Sequence, residues 1–138
     1  MDLSQFDTAL KGEVGATMTV LSPADDSPLI DETTGEPVTI TLLGADSPTY
    51  QSTMHRVAKS GREIRLGGRG SVQIDSQQVA ANKIALLAAC TKSWCGIVFE
   101  GQALACNEAN AKRLYIALPW LREQVDAFVQ DRSNFLGD

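Results

Sequence analysis

Two short stretches of this chain alternate in the manner of half-buried strands, and the segment joining them is full of helix breakers. Ala16 to Leu21 sets Thr17 and Thr19 against Met18 and Val20, and Val38 to Leu43 sets Val38, Ile40 and Leu42 against Thr39, Thr41 and Leu43. A period of two places alternate side chains on opposite faces of a strand. Between them, Ser22 to Gly35 holds Pro23, Pro28, adjacent aspartates and a Thr-Gly pair. That connection is too short and too rich in turn residues for a crossover helix, so the strands are expected to pair antiparallel.

After Gly44 the pattern changes to helical spacing. Asp46-Ser47-Pro48 is a helix start, because Asp or Ser accepts from the first free amides and proline tolerates the first turn. Tyr50, Met54 and Val57 then mark one face of a helix expected to end near Ser60-Gly61. Residues 62–74 read as a basic, glycine-rich loop. Asp75 or Ser76 is the expected cap of a core helix whose apolar face is Val79, Ile84 and Leu87 with Ala80, Ala88 and Cys90.

Trp94 follows that helix. Gly96 to Phe99, Glu100-Gly101 and Gln102 to Leu104 suggest a small hairpin. Asn107 caps a helix running to about Leu118, with Leu114, Tyr115 and Leu118 on its apolar side. Pro119 ends that helix and suits the first turn of the next, where Leu121, Val125 and Phe128 recur at i, i+4 and i+7. The expected fold class is α+β: an N-terminal antiparallel hairpin or small sheet followed by a mainly helical C-terminal half. At 138 residues the chain is expected to be one domain, a strand-bearing half (1–61) and a helical half (75–138) flanking the loop.

Charge is distributed unevenly. Residues 1–55 carry nine acids against Lys11 alone, whereas residues 56–69 carry five bases against Glu63. Such asymmetry concerns surfaces and partners rather than fold. The longest apolar run, Ile84 to Cys90, is too short to span a bilayer, and the acidic N-terminus lacks the order of a secretory signal. A cytoplasmic protein with no membrane partner is the expectation.

The candidates for chemistry are weak. Cys90, Cys95 and Cys106 are read as small packing residues, because the only histidine, His55, lies in another segment and no zinc-ligand spacing results. Gly67-Gly68-Arg69-Gly70 lacks the lysine and hydroxyl of a phosphate loop. Asp25-Asp26 and Asp31-Glu32 are paired carboxylates in a breaker-rich loop, and they fit a solvated tip better than an acid–base couple or a calcium site. Arg62, Arg65 and Arg69 have no interleaved aromatics, so nucleic acid is not the expected partner and a secondary contact with protein is. Neither catalysis nor a cofactor is expected.

What stands out instead is the aromatic content of the last third. Trp94, Tyr115, Trp120, Phe128 and Phe135 lie there, and Trp and Tyr are enriched at binding hot spots. Trp94, Tyr115 and Phe128 are assigned to the core. Trp120, with Leu121 and Val125 on the same helix and Phe135-Leu136 at the chain end, is assigned to protein binding.

Several passages resemble a known family. They are Asp2-Leu3-Ser4 with Asp7-Thr8, Gly15-Ala16, the run from Glu36 to Ser47, Trp94 with Gly96-Ile97 and Gly101, Leu114-Tyr115, Pro119 to Asp126 with Phe128, and Asp131-Arg132 with Asn134-Phe135-Leu136. Together they are similar to the small tail assembly chaperones encoded in tailed-phage and prophage tail gene clusters. The resemblance implies a non-enzymatic protein of the host cytoplasm that binds and solubilises the tape-measure protein and helps recruit tail-tube subunits. It leaves open self-association, a frameshifted longer form, and the rival role of a structural minor tail or tail-completion protein of the virion.

Overall fold

The structure, a computed structural model, describes residues 1–66 and 76–136. Its elements in chain order are a 3-10 turn (Leu3–Phe6), α1 (Thr8–Val14), β1 (Ala16–Thr19), β2 (Thr39–Leu42), α2 (Pro48–Leu66), α3 (Ser76–Ala89), β3 (Thr91–Cys95), β4 (Val98–Phe99), β5 (Gln102–Ala103), α4 (Glu108–Ala117), α5 (Pro119–Gln130) and α6 (Ser133–Leu136). This is the expected α+β arrangement, a small antiparallel sheet followed by a mostly helical C-terminal half.

β1 and β2 pair antiparallel, with Met18 opposite Ile40 and Ala16 opposite Leu42. The expected alternation is observed as far as Leu42, where β2 ends; Leu43, expected on the outer face with the threonines, is buried as well. Met18, Val20, Ile40 and Leu42 are buried, while Thr17 and Thr41 meet through their hydroxyls at 2.9 Å on the outer face. A third strand completes the sheet: β3 pairs antiparallel to β2, with Trp94 opposite Ile40 and a register shift at Thr41/Leu42. The shift lets Lys92 leave the ladder and donate to the Val14 carbonyl at 3.1 Å. A bulge next to two polar residues hides the period-two signal, so no strand is expected here from the sequence.

The inner face of the sheet is covered by α3, α4 and α5. Leu87, Ala111, Leu114, Tyr115, Leu121, Val125 and Val129 fill that interior with almost no exposure. Each large side chain buried this way contributes about 1.5–3 kcal/mol of transfer free energy. Local signals place the helix starts. Ser47 Oγ accepts from the Tyr50 N–H at 3.2 Å, and Asn107 Oδ1 accepts from the Asn110 N–H at 2.8 Å. Pro119 occupies the first turn of α5 just after α4 ends.

Three expectations need correction. α2 continues to Leu66 instead of stopping near Ser60-Gly61, since a glycine inside a helix costs only about 1 kcal/mol. On that helix Thr53 is buried and Met54 is 42% exposed, so the inner face is Tyr50 and Thr53. Val79 and Ala80 are exposed, and α3 buries only its later turns. Near the N-terminus the chain builds α1, capped by Asp7, whose carboxylate accepts from the Leu10 N–H at 3.0 Å. Arg69 with the rest of the glycine-rich stretch, the cap at Asp75, and the side chains of Arg62 and Arg65 lie outside the described residues.

Helix α6 packs back beside α1. Gly12 of α1 passes Gly44 closely, and Phe135 of α6 packs over Gly44. Arg132 holds this corner through Asp46, donating from Nε at 2.6 Å. That guanidinium, with help from Thr8, keeps the Asp46 carboxyl below its ordinary range.

Candidate functional site

The five side chains expected to bind a partner divide sharply in the structure. Leu121, Val125 and Phe135 are 3%, 0% and 7% exposed, so they are core residues, and of the three only Leu121 reaches the groove described below, as part of its floor. The i, i+4 stripe of α5 joins the same buried core as Met18, Val20 and Ile40 of the sheet. Trp120 and Leu136 keep part of their surface in solvent. Trp120 lines a groove.

That groove lies where four segments converge. Its floor is core: Val20 of the first hairpin, Leu114 of α4 and Leu121 of α5. One wall is the β4–β5 hairpin with the residues leading into it, Ile97, Val98 and Phe99. The other walls are the ribbon residues Leu29 and Val38 and the α4–α5 junction, Leu118 and Trp120. The volume is about 200 Å³, below the roughly 300–1,000 Å³ of small-molecule sites. It has room for an inserted apolar side chain rather than a cofactor.

Local chemistry shapes each wall. Glu100 and Gly101 both have positive φ, at 54° and 81°, as a two-residue type I′ hairpin turn demands. Trp94 Nε1 donates to the Leu104 carbonyl at 2.8 Å, which ties the hairpin to β3. The Arg113 guanidinium sits 5.1 Å from the Phe99 ring centre and pairs with Glu100, fixing the hairpin tip against α4. On the opposite wall Gln124 grips the ribbon: its Oε1 accepts from the Leu21 N–H at 3.0 Å and its Nε2 donates to the Leu21 carbonyl at 2.8 Å.

The ribbon itself is a double turn. Leu29 N–H donates to the Val20 carbonyl and Val38 N–H to the Leu29 carbonyl, so Leu29 is held between the two strands as they splay. The turns on either side of Leu29 expose Asp25 and Asp26, and Glu32 and Glu36, to solvent, as expected of a loop tip. Asp31 and Glu36 line a second cleft, and Gly96 belongs to both. A Cβ at Gly96 would lie 3.3 Å from that of Asp31, so the acidic ribbon and the apolar groove meet there with little space between them.

Every residue lining the groove is apolar or glycine. Its lining offers apolar surface and no acid, base or nucleophile. The groups with strongly shifted protonation lie elsewhere. Burial pushes the Tyr115 phenol and the Cys90 thiol each up to about 12, beneath the sheet. Among the described residues no set of three or more His, Cys, Asp or Glu is arranged to hold a metal ion, and no helix is long and apolar enough to cross a membrane. Sequence reasoning singles out Trp120 and misses Ile97, Val98, Leu29 and Val38, since periodicity along single elements carries no sign that these segments converge.

No family model matches this chain, and neither does any curated protein or solved structure.

Proposed function

We propose that this protein is a tail assembly chaperone of a tailed phage or prophage, which binds the tape-measure protein in the host cytoplasm, keeps it soluble and helps recruit tail-tube subunits. The observation that supports this reading is the apolar groove under Trp120, bordered by the acidic ribbon. A long client helix that awaits its tube exposes apolar stripes, and an apolar groove takes the side chains of such a stripe. One inserted side chain contributes about 1.5–3 kcal/mol. Holding a client therefore depends on repeated contacts by many copies along its length, each making the next binding event local. The carboxylates of the ribbon favour basic segments and keep the loaded complex soluble.

Co-expression with a tape-measure protein is the test. The chaperone reading requires a soluble complex on sizing, and loss of that complex in Trp120→Ser and Val98→Asp, which alter half-buried and exposed rim positions. A client equally insoluble with and without the chain refutes it. So does recovery of the protein in purified particles in stoichiometric amount, which would make it a tail component.

A further inference from the structure

The edge of the sheet opposite β3 is open. In the β1–β2 ladder, Val20 directs its N–H to the Val38 carbonyl, and its own carbonyl accepts from Leu29 on the same side. Residues of one parity thus point their main-chain groups toward β2, and those of the other parity point away. Leu21 confirms the outward direction, for both its N–H and its carbonyl are taken by the Gln124 side chain. The Gln124 amide there does what a peptide group of a neighbouring strand would do.

Thr19 and Thr17 share the parity of Leu21, so their N–H and carbonyl groups face the same open side. Among the described residues none of these four groups has a hydrogen-bond partner on that side. Native edges are usually blunted by a lysine, a proline or a bulge. β1, Ala-Thr-Met-Thr, carries none of them.

Beside this edge runs a groove of about 430 Å³. It lies between Met18, Thr19 and Leu21 on the strand side and Ala127, Phe128 and Asp131 on the helix side. The side chain of a strand added to β1 on the core-facing side of the sheet would enter this groove against Phe128 and Ala127. Among the described residues the Asp131 carboxylate is paired with no cation, and it bonds only to the N–H and hydroxyl of Ser133.

We propose that the free edge of β1 and the groove beside α5 form a strand-docking site for an extended segment of another protein, one that carries an apolar side chain for the groove and a Lys or Arg for Asp131. The main chain supplies the affinity and the alternate side chains the selectivity, as in other cases of strand addition. A second copy of the chain is a poorer occupant. It would bring its own α5 alongside its own β1, and the two helices would compete for the same groove. The site is distinct from the groove under Trp120, so either proposal can fail without the other.

The probes are a capped peptide Lys-Val-Thr-Val-Lys and its counterpart ending in Glu at both positions. They are added to the whole protein and followed by amide hydrogen exchange and by chemical shifts. Expected are slowed exchange at Thr17 and Thr19 and weaker binding of the Glu peptide. N-methylation at alternate peptide positions should abolish binding in one phase only.

Thr19→Pro removes an N–H that the fold does not use, at an edge where proline is tolerated. It should weaken binding about ten-fold or more, as expected when main-chain hydrogen bonds are lost. Ala127→Lys, at an exposed helix position, should do the same by filling the groove and occupying Asp131. The proposal is overturned if the amides are unprotected at saturating peptide, if both variants bind as the parent does, or if β1 proves to pair with a second copy in a dimer that Thr19→Pro dissociates.

Discussion

Replacing Gln124 by Glu tests the central packing argument, because the change is isosteric and exchanges one donor amide for an oxygen that is charged at neutral pH. In the native chain Gln124 satisfies both main-chain groups of Leu21, at 3.0 and 2.8 Å, across 103 residues of sequence. A glutamate keeps the acceptor for the Leu21 N–H. When ionised, however, it sets an oxygen against the Leu21 carbonyl, exchanging a hydrogen bond for a repulsion. When protonated, it donates to that carbonyl and both bonds return.

The magnitude follows from the bonds. Each is worth about 0.5–1.5 kcal/mol net, and the site is only part-buried, so water recovers some of the loss. Gln124→Ala should therefore cost about 1–2 kcal/mol, and Gln124→Glu at neutral pH about 2–3 kcal/mol, since an unpaired acceptor costs more than an absent one. The folded state favours the protonated acid, so the new carboxyl is raised above its unfolded value of about 4.3. Its stabilising contribution is present below that value and is lost as pH rises through the folded pKa. Urea denaturation of the three proteins at mildly acidic and neutral pH reads this directly, each kcal/mol moving the midpoint by roughly 0.3–1 M. If Gln124→Glu matches the parent at neutral pH, or its deficit relative to the parent does not shrink in acid, the clamp does not hold the ribbon and the wall of the groove is set by something else.

Other outcomes follow from the same geometry. Gly44→Ala places a Cβ 3.1 Å from the Phe135 ring and 3.3 Å from the Gly12 backbone, so thermal unfolding should show a loss of about 1–3 kcal/mol from overpacking. Gly12→Ala meets only ordinary contacts at 3.5 Å and should instead gain about 0.5–1 kcal/mol of helix propensity, the opposite sign from a neighbouring glycine. Tyr115, raised from 10.0 to about 12 by burial, favours its neutral form in the fold. Its contribution is intact below pH 10 and is lost between there and about 12, so spectrophotometric titration should show phenolate forming together with loss of structure. Of the three free thiols, exposed Cys95 should react first with a thiol reagent, and buried Cys90, its pKa about 12, only on unfolding. Reaction of Cys90 at the rate of Cys95 in native protein would contradict the packing under the sheet.

Elements specified by near neighbours in the chain are legible in the amino-acid order itself. The pairing of β1 with β2 follows from Met18, Val20, Ile40 and Leu42 alternating with threonines. The starts of α2 and α4 follow from Ser47 and Asn107, and the break before α5 from Pro119. Strand β3 is not legible in this way, because Lys92 and Ser93 face solvent and a bulge interrupts the pattern, so its pairing depends on the edge that β2 presents. Trp120 can be picked out as a residue at a helix junction. Its neighbours Leu121 and Val125 belong to the core, Leu121 meeting the groove only as its floor, because a helical stripe reveals that a face is apolar without revealing what covers it.

The amino-acid order alone determined the local vocabulary of this protein: two strands that must pair, helices with marked starts, an acidic ribbon between proline-rich turns, and a C-terminal third heavy in aromatics. These rest on dihedral preferences, capping and periodicity, which act over a few residues. Only the tertiary structure decided which apolar faces were consumed against one another and which remained open. The groove under Trp120 draws on residues from Val20 to Leu121, and at the edge of β1 the Gln124 amide takes the main-chain groups of Leu21 while α5 leaves a groove beside Thr17 and Thr19. Burial is a competition among all the faces of the molecule at once, and its outcome is set by long-range packing that no single stretch of sequence contains.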